Sequence, residues 1–138
     1  MRGASRGQQK MRVFIADDSF IVVERLVDIL RQIRGIEVIG CASDGPRAAQ
    51  SIERLDPDAV ILDLQMREGS GLDVLRAVKK NSPTTTVIVL TNFTYPQYRK
   101  RCLDAGADLF LDKSTDFQKL PQILGELLEN SVVGSPSY

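Results

Sequence analysis

Five short apolar runs recur along the chain, and each is followed by a segment whose apolar residues have helical spacing. The runs read RVFIA from residue 12, IEVIGCAS from residue 36, AVILD from residue 59, TVIVLT from residue 86 and ADLFLDK from residue 107. Strands that alternate with helices pair in parallel, because each helix carries the chain back to the edge where the next strand begins. The alternation therefore predicts an α/β fold in which helices cover both faces of one doubly wound, five-stranded parallel sheet.

Helix signals lie between these runs. Five helices are predicted. They run from near Phe20 to a stop at Gly35, from Pro46 to Leu55, from about Leu72 to Lys80, from near Tyr95 to Gly106, and over residues 116–130. Residues 1–10 and 131–138 lack this patterning. We expect them to form a disordered N-terminal tail and a C-terminal tail on either side of one domain at residues 11–130.

The amino-acid composition limits the chemistry that this chain can perform. Its 138 residues include no histidine, which is the commonest metal ligand and general base. Lysine plus arginine (18) balance aspartate plus glutamate (18), so the net charge does not point to nucleic acid or a membrane surface. No segment approaches the roughly 20 apolar residues of a membrane span, and Cys41 and Cys102 lack CxxC spacing. We therefore expect a cytoplasmic protein that uses carboxylates, hydroxyls and lysines.

Four of the five predicted strands end at residues that can do chemistry. Asp17 and Asp18 follow the first strand, Asp63 the third, Thr91 the fourth and Lys113 the fifth. In a parallel sheet these ends share one edge, which is where such folds bind their ligands. Three carboxylates there would repel one another by about 4 kcal/mol for each close pair, so they require a cation. Oxygen ligands without histidine or cysteine suit Mg²⁺.

Lys113 and Thr91 direct this predicted site toward phosphate chemistry. A lysine ammonium group and a threonine hydroxyl group are both suited to phosphoryl oxygens. Asp63 follows a run that is expected to be buried on both faces, so its charge needs partners. A carboxylate placed between the metal and the lysine is the natural nucleophile for forming an aspartyl phosphate.

Four stretches, FIADDS, VILDLQMREGSGLDVL, VIVLTN and AGADLFLDKS, and the intervals between them resemble the receiver domain of bacterial two-component response regulators. The resemblance covers residues 11–130. It implies the flavodoxin-like (βα)5 fold of the chemotaxis regulators, with strand order 2-1-3-4-5. It also implies a role for each site residue: Asp63 as the phosphoacceptor, Asp17, Asp18, Asp63 and the backbone carbonyl of Gln65 as Mg²⁺ ligands, Thr91 and Lys113 as phosphoryl contacts, and Phe110 as an aromatic switch that moves with Thr91.

A receiver of this kind is a signalling switch in a two-component system or a phosphorelay. The resemblance implies that Asp63 accepts a phosphoryl group from a sensor histidine kinase or a histidine phosphotransfer protein. Such a receiver promotes its own phosphorylation and dephosphorylation but has no separate substrate, so we do not expect an enzyme. It would act on a downstream protein through residues 95–130, and a phosphorylation-dependent homodimer is a further option. We expect no nucleic acid or membrane partner for this chain.

Two other interpretations remain open. The chain could be the receiver half of a truncated DNA-binding regulator, since IEVIGCASDGPRAA resembles receivers that precede DNA-binding domains. Its initial methionine and its C-terminal tail favour a stand-alone protein instead. It could also be a receiver-like binding module that works without phosphorylation, although every chemical position is intact. A haloacid-dehalogenase-like phosphatase would need a second acid two residues after the nucleophile, where Gln65 stands.

Two residues depart from the pattern of the family. Arg67 stands four residues after Asp63, and Ser114 follows Lys113; the family often has proline at both positions. Because proline fixes φ, we expect the two loops that contain these residues to be less constrained here.

Overall fold

Residues 10–134 are described by the computed structural model, and five strands alternate with five helices along them. The elements are β1 (Met11–Ala16), α1 (Phe20–Arg31), β2 (Ile36–Ala42), α2 (Gly45–Leu55), β3 (Ala59–Leu62), α3 (Gly71–Asn81), β4 (Thr86–Thr91), α4 (Pro96–Asp104), β5 (Leu109–Asp112), a short 3-10 helix (Phe117–Lys119) and α5 (Leu120–Gly134). The sequence suggests an end for the last helix near residue 130, whereas α5 continues to Gly134. The predicted N-terminal tail falls almost wholly outside the described residues.

The five strands form one sheet in the order β2-β1-β3-β4-β5, and every neighbouring pair is parallel. This confirms the doubly wound fold and the strand order that the resemblance implies. The register pairs Ala16 with Leu62 at the ends of β1 and β3, and Thr91 with Asp112 at the ends of β4 and β5. The carboxyl ends of these four strands therefore meet at one edge of the sheet.

The sheet is covered on both faces by apolar side chains. On one face, Ile15 and Ile61 pack with residues of α1 and α5; on the other, Val60 and Leu62 pack with residues of α2, α3 and α4. All four residues of β3 are buried, as the run AVIL predicts for a strand covered on two sides. Within residues 10–134, no helix is both long and apolar enough to cross a membrane.

The loop between β3 and α3 is held close to the end of β3 by a glycine. The Gly71 N–H donates to the Leu64 carbonyl at 3.0 Å. A Cβ atom at position 71 would lie 2.6 Å from the Leu64 Cα and closer still to the Asp63 carbonyl oxygen. The Arg67 N–H also donates to the Ser43 carbonyl at 3.2 Å, which ties this loop to the loop after β2. Backbone contacts thus constrain the loop in which the family often has proline.

A second constrained turn follows β5 and carries Lys113. Asp112 Oδ1 accepts the Ser114 N–H at 2.8 Å and the Ser114 hydroxyl at 2.7 Å. Asp116 Oδ2 accepts the Asp112 N–H at 2.8 Å, and the Lys113 N–H donates to the Thr91 carbonyl at 2.9 Å. An aspartate that bonds to the backbone two residues later makes a turn without proline. Hydrogen bonds at Ser114 therefore supply a constraint at this position.

Replacing Gly71 with alanine should destabilise the fold, because the new Cβ meets backbone atoms that cannot move independently of β3. We expect the free energy of unfolding, measured by urea titration, to fall by about 2 kcal/mol or more. Gly125 in α5 serves as the matched control, because a Cβ atom there would meet no heavy atom of its surroundings within 4 Å. Gly125→Ala should raise the free energy of unfolding by roughly 0.5 to 1 kcal/mol. Equal effects of the two substitutions would contradict this description of the loop.

The Asp116 carboxylate should stabilise the turn after β5 in a pH-dependent way. Its bond from the Asp112 N–H, together with Lys119, lowers the pKa of Asp116 from its usual 3.8. A lowered pKa in the folded state gives stability that is present above pH 3.8 and is lost as the pH falls through the folded-state value. Asp116→Asn should therefore cost about 1 kcal/mol near neutral pH.

Urea titrations of wild type and Asp116→Asn between pH 6 and pH 2 would measure this difference. The difference should shrink as the pH falls below 3.8. Asp104→Asn is the matched control, because Asp104 forms an exposed pair with Lys100 on α4. That control should change the free energy of unfolding by only a few tenths of a kcal/mol across the range. A penalty for Asp116→Asn that does not vary with pH would contradict the assigned cause.

Candidate functional site

Three carboxylates meet at the carboxyl ends of β1 and β3. Oxygen atoms of Asp17, Asp18 and Asp63 all lie within 4.8 Å of one another. Asp17 and Asp63 follow the paired residues Ala16 and Leu62, and the Asp63 N–H donates to the Ala16 carbonyl at 2.9 Å. Both side chains are buried, and that of Asp18 is half-buried. The register of two neighbouring strands thus brings these acids together.

Lys113 supplies the positive charge in this cluster. Its Nζ lies 2.8 Å from Asp17 Oδ2 and 2.9 Å from Asp63 Oδ2, and its side chain is only 9% exposed. The buried charge of Asp63 therefore has the partner that the sequence requires. The contact between Lys113 and Asp17 has no counterpart in the sequence prediction, which assigns Lys113 to a phosphoryl group alone.

The electrostatics of the cluster show a deficit of positive charge. Burial raises the pKa of Asp17, and the nearby Asp63 carboxylate raises it further against the opposing effect of Lys113. Burial acts against the charge on Lys113, but its bonds to Asp17 and Asp63 outweigh burial and raise the pKa of Lys113. One ammonium group thus contacts two carboxylates of a cluster that contains three. Such an all-oxygen, acidic donor set fits a hard divalent cation such as Mg²⁺.

Backbone N–H groups hold two of the carboxylates in place. The Ser19 N–H donates to Asp17 Oδ1 at 2.9 Å, and the Gln65 N–H donates to Asp63 Oδ1 at 3.3 Å. The Ser19 hydroxyl caps α1 by accepting the Val22 N–H. Because Ser19 is the N-cap, capping of α1 does not account for the acid pair. Gln65 occupies the position two residues after Asp63, and it is exposed. This position therefore adds no buried acid to the cluster.

Thr91 and Phe110 lie on the strands beside the acidic cluster. Thr91 ends β4 and is 1% exposed, and its hydroxyl oxygen accepts the Phe93 N–H at 3.1 Å. Phe110 is buried in the apolar layer under α2, α3 and α4, and the Arg99 guanidinium group lies 5.8 Å from the centre of its ring. The structure therefore brings the predicted acids and lysine into contact, and places Thr91 and Phe110 on the two adjacent strands.

Two supporting features of the site were not predicted. The turn formed by Asp112, Ser114 and Asp116 directs Lys113 toward the cluster, and the spacing of Asp112 and Ser114 is a signal for such a turn. The bond between Phe93 and Thr91 follows the same spacing of two residues, with threonine as the acceptor. Both features are local side-chain to backbone bonds.

Comparison with known families supports the assignment suggested by the motifs. Residues 13–125 match the family model described as the response regulator receiver domain. The chain is 35% identical over 127 residues to the nitrate/nitrite response regulator protein NarP of Escherichia coli, covering 92% of this chain and 57% of NarP. It is 40% identical over 117 residues to a protein-glutamate methylesterase/protein-glutamine glutaminase of Xanthomonas oryzae, covering 82% of this chain and 30% of that protein. The chain thus spans less than two thirds of either relative.

Solved structures share the fold. The response regulator domain of Thermotoga maritima CheB is similar with a TM-score of 0.77 and 28% identity, covering 88% of this chain and 96% of that domain. The signal receiver domain of the putative response regulator NarL from Mycobacterium tuberculosis is similar with a TM-score of 0.80 and 27% identity, covering 88% of this chain and 98% of that one. Fold, strand order and the family match agree, and the chain belongs to the family of response regulator receiver domains of two-component systems.

Proposed function

We propose that this chain is a phosphorylation-activated switch in which Asp63 accepts a phosphoryl group from a phosphohistidine on a partner protein. The observation that carries the proposal is the buried Lys113 ammonium group that bridges Asp17 and Asp63. A purely structural ion pair needs one carboxylate, whereas two carboxylates share this ammonium group and an oxygen of a third, Asp18, lies within 4.8 Å of theirs. Such a cluster is costly unless a function retains it.

The proposed reaction is a phosphoryl transfer to a carboxylate. An oxygen of Asp63 forms a bond to phosphorus as the bond from phosphorus to the donor histidine nitrogen breaks, and the electron pair stays with the imidazole. The Gln65 N–H and Lys113 hold the two oxygens of Asp63 in place before the donor arrives. Positioning of this kind lowers the entropic part of the barrier.

Mg²⁺ would be held by Asp17, Asp18, Asp63 and the backbone carbonyl of Gln65. When bound, the ion supplies positive charge that offsets the negative charge of the phosphoryl oxygens. Lys113 is within reach of the same oxygens because its Nζ already contacts Asp63 Oδ2 at 2.9 Å. The Thr91 hydroxyl is the proposed donor to another phosphoryl oxygen, and Phe110 on the next strand is the proposed switch residue.

The proposed partners follow from this chemistry. The phosphoryl donor is a sensor histidine kinase or a histidine phosphotransfer protein. A downstream protein then recognises the phosphorylated form by contacting residues 95–130. We place the protein in the cytoplasm, and we assign it no separate substrate. A phosphorylation-dependent homodimer is compatible with this scheme.

A second candidate is the receiver portion of a longer regulator. The observation in its favour is that the chain covers only 57% of NarP and 63% of an uncharacterized transcriptional regulatory protein, YvfU of Bacillus subtilis. The reading frame that encodes this chain distinguishes the two candidates directly. Both candidates use the same chemistry at Asp63.

Incubation with Mg²⁺ and acetyl phosphate, followed by intact mass measurement, tests the phosphoacceptor. Wild type should gain one phosphoryl group, and chelation of Mg²⁺ should prevent the gain. Asp63→Asn should gain none, because an amide oxygen is a poor nucleophile. Asp73→Asn is the matched control, since Asp73 is an exposed acid on α3, and it should behave as wild type. An unmodified wild type, or equal modification of Asp63→Asn, would contradict the proposal.

A further inference from the structure

A groove lies between α2 and α3, on the face of the sheet opposite α1 and α5. It encloses about 730 Å³. Ile52 and Val78 are the buried residues of its lining, and Ala49 and Ala77 leave space between the two helices because an alanine side chain ends at Cβ. This α2–α3 groove therefore offers an open surface with an apolar base.

The charged residues that line the α2–α3 groove are both acidic. They are Glu53 and Asp56, and both are exposed. Within residues 10–130, no lysine or arginine nitrogen lies within 4 Å of either carboxylate. Asp58, in the loop after α2, adds a further exposed acid nearby. The charges of this groove therefore favour a basic occupant.

The chain enters β1 beside the acidic end of the groove. The Arg12 N–H donates to Asp58 Oδ2 at 2.8 Å. The guanidinium group of Arg12 donates to the carbonyls of Leu55 and Asp56, each at 2.9 Å. Lys10, the first residue that the structure describes, is exposed and lies two residues earlier. The segment that precedes Lys10 therefore begins next to Asp56.

That segment has the charge and the length to occupy the groove. Residues 1–10 include Arg2, Arg6 and Lys10 and no aspartate or glutamate. Nine extended residues span up to roughly 30 Å, whereas the 11 residues of α2 span about 16 Å. Exposed ion pairs are individually weak. A tethered segment, however, has an effective concentration on the order of millimolar, which favours it over a free basic peptide.

We propose that residues 1–9 dock in the α2–α3 groove, where Arg2 and Arg6 pair with Glu53 and Asp56. The segment lacks an apolar run, so it docks through its charges as an extended chain and forms no core of its own. A basic segment of another protein could enter the groove only by displacing it. This proposal does not depend on phosphorylation.

Paramagnetic broadening in NMR spectra of the full chain tests the docking. A nitroxide is attached at Ser5→Cys in a Cys41→Ser background, in which the remaining cysteine, Cys102, is 1% exposed and protected from the label. At low salt the amide signals of Ala49 and Ala77 should lose most of their intensity. The same sample with the nitroxide reduced gives the reference intensities.

Val27 provides an internal control on the other face of the sheet. It lies four residues before the end of α1, as Ala77 lies four residues before the end of α3. Both helices run toward the edge of the sheet where β1 begins. A segment without a preferred site would broaden the two amides equally. Docking should broaden Ala77 far more than Val27, and equal broadening, or none at Ala77, would overturn the proposal.

Charge reversal and salt test the assigned cause. Glu53→Lys should restore the signals of Ala49 and Ala77. Glu24→Lys, the same change at an exposed acid on α1, should leave them broadened. Salt at about 1 M should also restore them, since the screening length falls to about 3 Å from about 30 Å at 0.01 M. Broadening that persists in Glu53→Lys or at high salt shows that these charges do not hold the segment.

A mixed sample separates docking within one chain from docking between two copies. Isotope-labelled chain without nitroxide is mixed with unlabelled chain that carries the nitroxide, so any broadening arises between molecules. The signals of Ala49 and Ala77 should keep their intensity in this mixture. Broadening as strong as in the singly labelled sample means that a second copy fills the groove, and it rejects the chain's own segment as the occupant.

Discussion

The ammonium group of Lys113, held between the carboxylates of Asp17 and Asp63, is the interaction on which the site depends. All three side chains are buried, so solvent screens them poorly and their charges must be balanced within the protein. One cation cannot balance three carboxylates. The cluster therefore has an excess of negative charge at the end of β3, and the proposed chemistry offsets that excess with Mg²⁺.

The rest of the fold positions these groups. The parallel register of β1 and β3 places Asp17 beside Asp63, and the turn after β5 directs Lys113 across to them. Gly71 lets the loop after β3 pack against the Asp63 backbone. These constraints come from strand register, from a close backbone approach at Gly71 and from side-chain to backbone hydrogen bonds in the turn after β5.

Much of the fold and site could be predicted from the sequence because parallel sheets have simple geometry. A run such as AVIL predicts a buried strand, and the residue that follows it must lie at the common edge with Asp17, Thr91 and Lys113. The contact of Lys113 with Asp17 could not be predicted, since it depends on the side-chain conformation and on the turn at Asp112. The extension of α5 to Gly134 follows no local signal, as SVVG is a weak helix former.

Calorimetric titration with Mg²⁺ tests most directly whether the acidic cluster lacks positive charge. Wild type should bind one ion per chain. Asp17→Asn should weaken binding at least about tenfold, because it removes the negative charge of one buried carboxylate ligand. Asp73→Asn, which removes an exposed carboxylate on α3, should leave the affinity unchanged. Absence of binding, or equal affinities of wild type and Asp17→Asn, would contradict the cation site from which the proposed phosphoryl transfer is argued.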